Sequence, residues 1–152
     1  MAGWASTVPA AIGALVATFT AAPGLAGVQV SDGPALGDVA MTGLLTVGYS
    51  DNSDMAASAQ TTAEGFGGSP NRESYEVYCS ASAFTGDDDQ AVTRNQAFAL
   101  YAAACDAVLA DPTLGGAVLR AMPGDFTLHQ SATTRGRATT VQFAIAVTAY
   151  TL

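Results

Sequence analysis

A chain of 152 residues, 49% hydrophobic and only 12% charged, is long enough for one buried core and too apolar for a disordered state. Thirteen acids outweigh five bases for a formal net charge of -8, and the bases are all arginine: Arg72, Arg94, Arg120, Arg135 and Arg137. Without lysine there is no P-loop phosphate ligand and no Schiff-base amine, and five scattered arginines make a poor footprint for nucleic acid or an anionic membrane.

The first predicted element is a helix over residues 7–22. Ile12, Leu15, Val16 and Phe19 recur at helical spacing and share one face. Ser6 or Thr7 is placed to cap it, Pro9 suits its first turn, and Pro23-Gly24 ends it. Trp4 is expected to anchor the tail before it, with a partner contact as the alternative. Val28-Gln29-Val30 reads as a short strand, Ser31-Asp32-Gly33-Pro34 as a turn, and Leu44 to Tyr49 as a second strand.

Residues 51–72 show no period. They are predicted to be a long mobile loop that orders against a partner, or else a tolerated surface insertion. Residues 73–85 then alternate. Tyr75, Val77, Cys79, Ala81 and Ala83 face one way, and Ser74, Glu76, Tyr78, Ser80 and Ser82 the other, as in an antiparallel strand with one wet face.

Asp87-Asp88-Asp89 precede the longest predicted helix, about 90–110, where carboxylates cap and complement the helix dipole. Asp111-Pro112 stops it. A short helix is expected at about 114–121, capped by Thr113 or Asp111 and closed by Pro123-Gly124. A hairpin ends the chain: Phe126, Leu128 and Gln130 in one strand, a Thr134–Arg137 turn, then a strand in which Val141, Phe143, Ile145, Val147 and Ala149 alternate with Thr, Gln and Ala. The order predicts a single α+β domain over 1–152, an antiparallel-rich sheet with helices packed on one face.

Chemistry-bearing residues are sparse. His129 is the only histidine and has no G-x-S-x-G elbow or other triad signal beside it. Three consecutive aspartates diverge more than they converge, so capping outweighs cation binding there. Asp51-Asn52-Ser53-Asp54 opens like a calcium loop, but Met55, Ala56 and Thr62 stand where a ligand, the turn glycine and the bidentate glutamate are needed. Gly65-Phe66-Gly67-Gly68 follows no strand and opens no helix. Cys79 and Cys105 form no C-x-x-C motif and are expected as free buried thiols, although a disulfide is open to them. Residues 8–22 lack the basic flank of a signal peptide and are too short to span a bilayer. No catalytic, cofactor-binding or metal-binding residue is therefore predicted. The low charge density points instead to a protein working through its surfaces. Candidate partner contacts are Asp51, Asp54, Glu64 and Phe66 in the loop, and Arg135 and Arg137 at the hairpin tip, where a carboxylate of a neighbouring subunit would meet them.

The order of segments resembles the tail terminator proteins of long-tailed bacteriophages, also called tail completion or head–tail joining proteins. An amphipathic helix at 7–22 comes first. Val28-Gln29-Val30-Ser31-Asp32-Gly33-Pro34 matches that family's V-x-V-x-D-G-P strand and turn, and Leu45-Thr46-Val47-Gly48-Tyr49 with Asp51 is similar to its second strand and acidic loop. The strand 73–84, the helix 90–110 with Arg94 inside it, and Asp111-Pro112-Thr113-Leu114-Gly115-Gly116 are the best local match. The resemblance covers nearly the whole chain, on soft motifs of order and turn chemistry. It implies a non-enzymatic virion protein of the tail neck, assembled in the host bacterial cytoplasm. Such proteins form a homo-hexameric ring on the major tail tube protein, end its polymerisation, and present a surface to the head–tail connector or stopper. DNA passes through the lumen without specific binding, and no membrane takes part. A different head–tail joint protein, such as a stopper, and a small-ligand-binding α+β domain are the alternatives.

Overall fold

A computed structural model describes residues 4–35, 43–49, 55–64, 70–86, 88–134 and 136–152. Helix α1 is Val8–Ala21, with Pro9 in its first turn; Ala11, Leu15 and Phe19 are its buried positions, and Ile12 and Val16 flank them half-buried. Its start differs from a simple Ser/Thr cap. Ser6 Oγ accepts from Val8 N–H, while the Thr7 side chain caps nothing and turns to Glu73. A single 3-10 turn, Pro23–Leu25, buries Leu25 and leads to strand β1, Gln29–Asp32. β1 lies parallel to β2, Gly43–Val47. The strand thus runs further than Val30, and the bend falls on Gly33, at φ 79°, whose N–H donates to Val47 O at 2.7 Å.

The expected loop at 51–72 is corrected in part. Residues 50–54 and 65–69 lie outside the described residues, but Ala57–Thr62 form a strand, β3, antiparallel to β4. Backbone pairing against Arg72–Val77 holds this segment in place of side-chain burial, since five of its six residues are exposed. β4, Arg72–Thr85, is the organising strand: β2 and β3 share one of its edges and β6 takes the whole of the other. Its predicted alternation holds in the first half, where Tyr75 and Val77 are buried towards the helices and Ser74 and Glu76 are exposed. The expected wet face is corrected further on, because Ser80 and Ser82 are buried along with Cys79, Ala81 and Ala83, their hydroxyls bonded to Thr46 and Thr140.

Helix α2, Gln90–Ala110, matches its predicted bounds. Asp89 is the N-cap, its carboxylate accepting from Ala91 N–H at 3.0 Å, and Thr93, Ala97, Ala104 and Val108 are buried. The short helix expected at 114–121 does not form. Leu114, Gly115 and Gly116 take positive φ values of 51°, 72° and 89°, and Asp111 Oδ2 accepts from Gly115 N–H at 2.7 Å. Two adjacent glycines cost a helix about 1 kcal/mol each, and here their freedom makes a tight turn instead.

Strand β5, Arg120–Thr133, therefore begins earlier than expected, with Pro123-Gly124 inside it at a bulge between Pro123 and Phe126. An edge strand with a bulge is where a proline is tolerated. The hairpin into β6, Gly136–Tyr150, is tighter than the predicted four-residue turn, pairing Thr133 with Gly136. Gly136 sits at φ 134°, and a Cβ there would collide with the Thr85 carbonyl oxygen.

The sheet order is β1-β2-β4-β6-β5, with β3 beside the first half of β4. Only the β1–β2 pair is parallel. Both helices cover the same face, so the fold is α+β with an antiparallel-rich sheet. The core lies between them: Leu15 and Phe19 from α1, Ala104 and Val108 from α2, and Leu45, Val47, Val77 and Ile145 from the sheet. A polar clasp closes one end of this core. Glu73, 2% exposed, accepts from Thr7 N–H (2.6 Å), Thr7 Oγ1 (2.6 Å) and Ser6 Oγ (2.9 Å), and Tyr75 Oη lies 2.9 Å from Thr7 Oγ1. Leu152 N–H donates to Ala5 O and Thr151 N–H to Asn71 O, both at 2.8 Å. The Glu73 bonds and the Leu152–Ala5 bond tie down the N-terminal tail in place of Trp4, the expected anchor, which is 75% exposed.

Candidate interaction surface

No described helix or strand lies over the second face of the sheet, and cross-strand register sorts its side chains into rows. One row runs Gln60, Ser74, Thr148, Arg120; the next runs Ser58, Glu76, Ala146, Met122. Further along come Thr46, Ser80, Gln142 and Thr127, then Leu44, Ser82, Thr140 and His129. Hydroxyls bond across strands here: Thr46 to Ser80, and Ser82 to Thr140 at 3.0 Å. Short side chains on a sheet leave hollows. A groove of about 470 Å³ spans the first two rows, and a smaller one of about 210 Å³ lies beyond it, between Tyr78, Asp125, Thr127 and Gln142; Glu76 borders both. Arg120 lines the larger groove, exposed and with no hydrogen-bond or ion-pair partner among the described residues.

The exposed part of the face is the first two rows with Thr127 and His129, since Thr46, Ser80, Ser82 and Gln142 are buried. It offers hydroxyls, amides and methyls with few charges, and no convergent titratable groups are found on it among the described residues. His129 stands on this face, exposed, its Nε2 3.3 Å from Thr127 Oγ1, with no acid partner among the described residues. Among the described residues no three His, Cys, Asp or Glu side chains converge as metal ligands, and no helix is long and apolar enough to cross a membrane.

Of the predicted contact residues, Glu64 follows β3 and is held by Tyr150 Oη at 3.3 Å and Arg72 at 3.9 Å. Arg137 opens β6 and lies 3.9 Å from the exposed Asp88. The two are at opposite ends of the β4–β6 ladder, near the Arg72–Tyr150 and Thr85–Arg137 pairs, so they do not form one patch. Asp51, Asp54, Phe66 and Arg135 lie outside the described residues. Cys79 and Cys105 are free thiols, one buried and one half-buried. Burial pushes the Cys79 thiol up to about 12 and, with Cys105 beside it, the Tyr101 phenol to about 12.

Sequence reasoning missed β3 and Glu73. β3 has no large apolar residue to betray a period. Glu73 did carry a signal: it continues the inward phase of Tyr75 and Val77, and an acid in an apolar phase implies a buried partner set.

No family model matches the sequence, and a search of curated proteins finds no match.

Proposed function

We propose that the chain is a structural subunit of a bacteriophage tail, of the tail-terminator class: a ring component that caps the head-proximal end of the tube, ends its polymerisation and joins it to the head connector. The observation that carries this reading is the exposed part of the second sheet face, where Ser58, Gln60, Ser74 and Thr127 present hydroxyls and an amide with few charges, on a chain that offers no convergent reacting groups among its described residues. Such a face suits a protein that works by shape against other proteins, and the proposed role asks for no reacting group. The V-x-V-x-D-G-P segment, which runs through β1 into the Gly33 turn, supports the class. A ring needs heterologous contacts between two different patches of each subunit, and the sheet has two different sides to give.

Light scattering on the purified chain, alone and mixed with tail tube protein, tests the reading. A closed oligomer that binds tube ends is expected, and phage made without the chain should carry tails of uncontrolled length by electron microscopy. Normal tail lengths without it would remove the capping role. A second reading is favoured by the groove beside Arg120 and Glu76, which has the size of a small-ligand site. A monomer whose melting temperature rises with a metabolite would select that reading.

A further inference from the structure

Three strands, β1, β3 and β5, have no strand on their outer side among the described residues, and the last two lack the usual protection over much of their length. β3, Ala57–Thr62, has no charge, no proline and no glycine. β5 is guarded only in its first half, where Ala121 N–H donates to Pro112 O at 2.6 Å, Pro123 has no N–H to give, and the bulge follows. From Phe126 to Thr133 the edge has neither proline nor a formal charge. Beside it on the helix side Phe126 is 48% exposed and Leu128 40%. Protein edges are normally blunted by lysine, proline or a bulge, because a bare edge recruits another strand.

The two bare edges fit each other. They lie on opposite sides of the sheet, so one copy offers what the next one lacks. β3 runs against β4, whereas β5 runs with it, since each is one antiparallel step removed from its neighbour through β6. Copies rotated about an axis along the strands therefore bring β3 and β5 together antiparallel. Ala57, Ala59 and Thr61 share the face of Val77, Tyr75 and Glu73, the same face as Phe126 and Leu128. Small side chains would thus be set beside exposed large ones, and no like charges would meet despite the net charge of -8. β1, on the same side as β3, is shorter and ends on Asp32.

We infer that β3 of one copy adds antiparallel to the Phe126–Thr133 half of β5 in the next copy, so that the ring closes through a sheet continuous from subunit to subunit. This rests on the ring reading above. The test separates the two. Ala56 O accepts from Tyr78 N–H at 3.0 Å, so the alternation of an antiparallel ladder turns the N–H of Ala59 outward. Ala59→Pro deletes that donor and leaves the β3–β4 ladder bonded. It should keep the far-UV circular dichroism of the parent and weaken assembly by about tenfold or more, read by light scattering. Independently of how that variant folds, a chain carrying both Ala59→Cys and Leu128→Cys should give a ladder of oligomers with a short bis-maleimide, while each single variant matches the parent. If the parent assembles but Ala59→Pro leaves its mass unchanged and the double variant gives no ladder, the strand pairing is wrong and the ring stands. A ladder from Leu128→Cys alone would mean β5 pairs with β5, and also overturns it. If the parent remains at 15.2 kDa both alone and with tube protein, ring and pairing fall together.

Discussion

Glu73 concentrates more hydrogen bonds than any other described carboxylate, and it takes them from the segment that begins α1. It does from β4 what a local cap usually does: it satisfies a free N–H at the positive end of a helix dipole. Glu73→Gln should lower the stability read from urea unfolding by about 1–3 kcal/mol, because a buried donor loses its acceptor. Glu76→Gln, on the exposed phase of the same strand, should leave the midpoint in place. The thiols give a pH prediction. Cys79 is pushed by burial from 9.0 to about 12, and burial also raises Cys105 and Tyr75. Between those values the unfolded chain releases the Cys79 proton and the native chain retains it. Stability is therefore full below about pH 9 and falls above it, by roughly 1.4 kcal/mol per pH unit for a fully shifted group. Urea midpoints at about pH 8 and about pH 10.5 should show the drop, and Cys79→Ala should make it smaller, the remainder coming from Cys105, Tyr75 and Tyr101.

Elements were legible where burial imposed a period. β4, β6 and α2 carry five or more phased positions each, and α1 showed its face although Ala11 proved deeper than Ile12. β3 was illegible because its order comes from the backbone of β4; Ala-Ser-Ala-Gln-Thr-Thr has nothing to bury. The turn at 112–117 was misread because glycine was weighed as a weak helix residue when three successive positive φ values were at stake. Of the interaction surface, the exposed phase of β4 was visible at Ser74 and Glu76 but misread at Ser80 and Ser82, which are buried; the rows it makes with β3 and β5 depend on register, which alternation alone does not fix. α2 carries its own prediction. Asp89→Ala should cost about 1 kcal/mol by removing the acceptor for Ala91 N–H, and Asp89→Asn should restore most of it, both read from thermal midpoints.

At the scale of the whole molecule, charge is the governing quantity. Thirteen acids against five bases, repeated around a ring, would make a strongly negative collar. Phosphates would be repelled from such a passage, leaving a duplex free to move. The assembled protein should not retard duplex DNA in a gel, even at low salt. Retardation that strengthens as salt is lowered would oppose the repulsive passage.

The place of β6 in the sheet has a further consequence. β4 pairs with it from Arg72–Tyr150 to Thr85–Arg137, so one whole flank of the central strand waits for a segment made more than fifty residues later. Until β6 has been made, β4 has β2 and β3 on one flank and no strand on the other. Maturation is slow when such distant segments must meet. The sheet therefore closes late: β4 gains its second flank only once β6 has been made, and the hydrophobic face that both strands share is completed at the same moment.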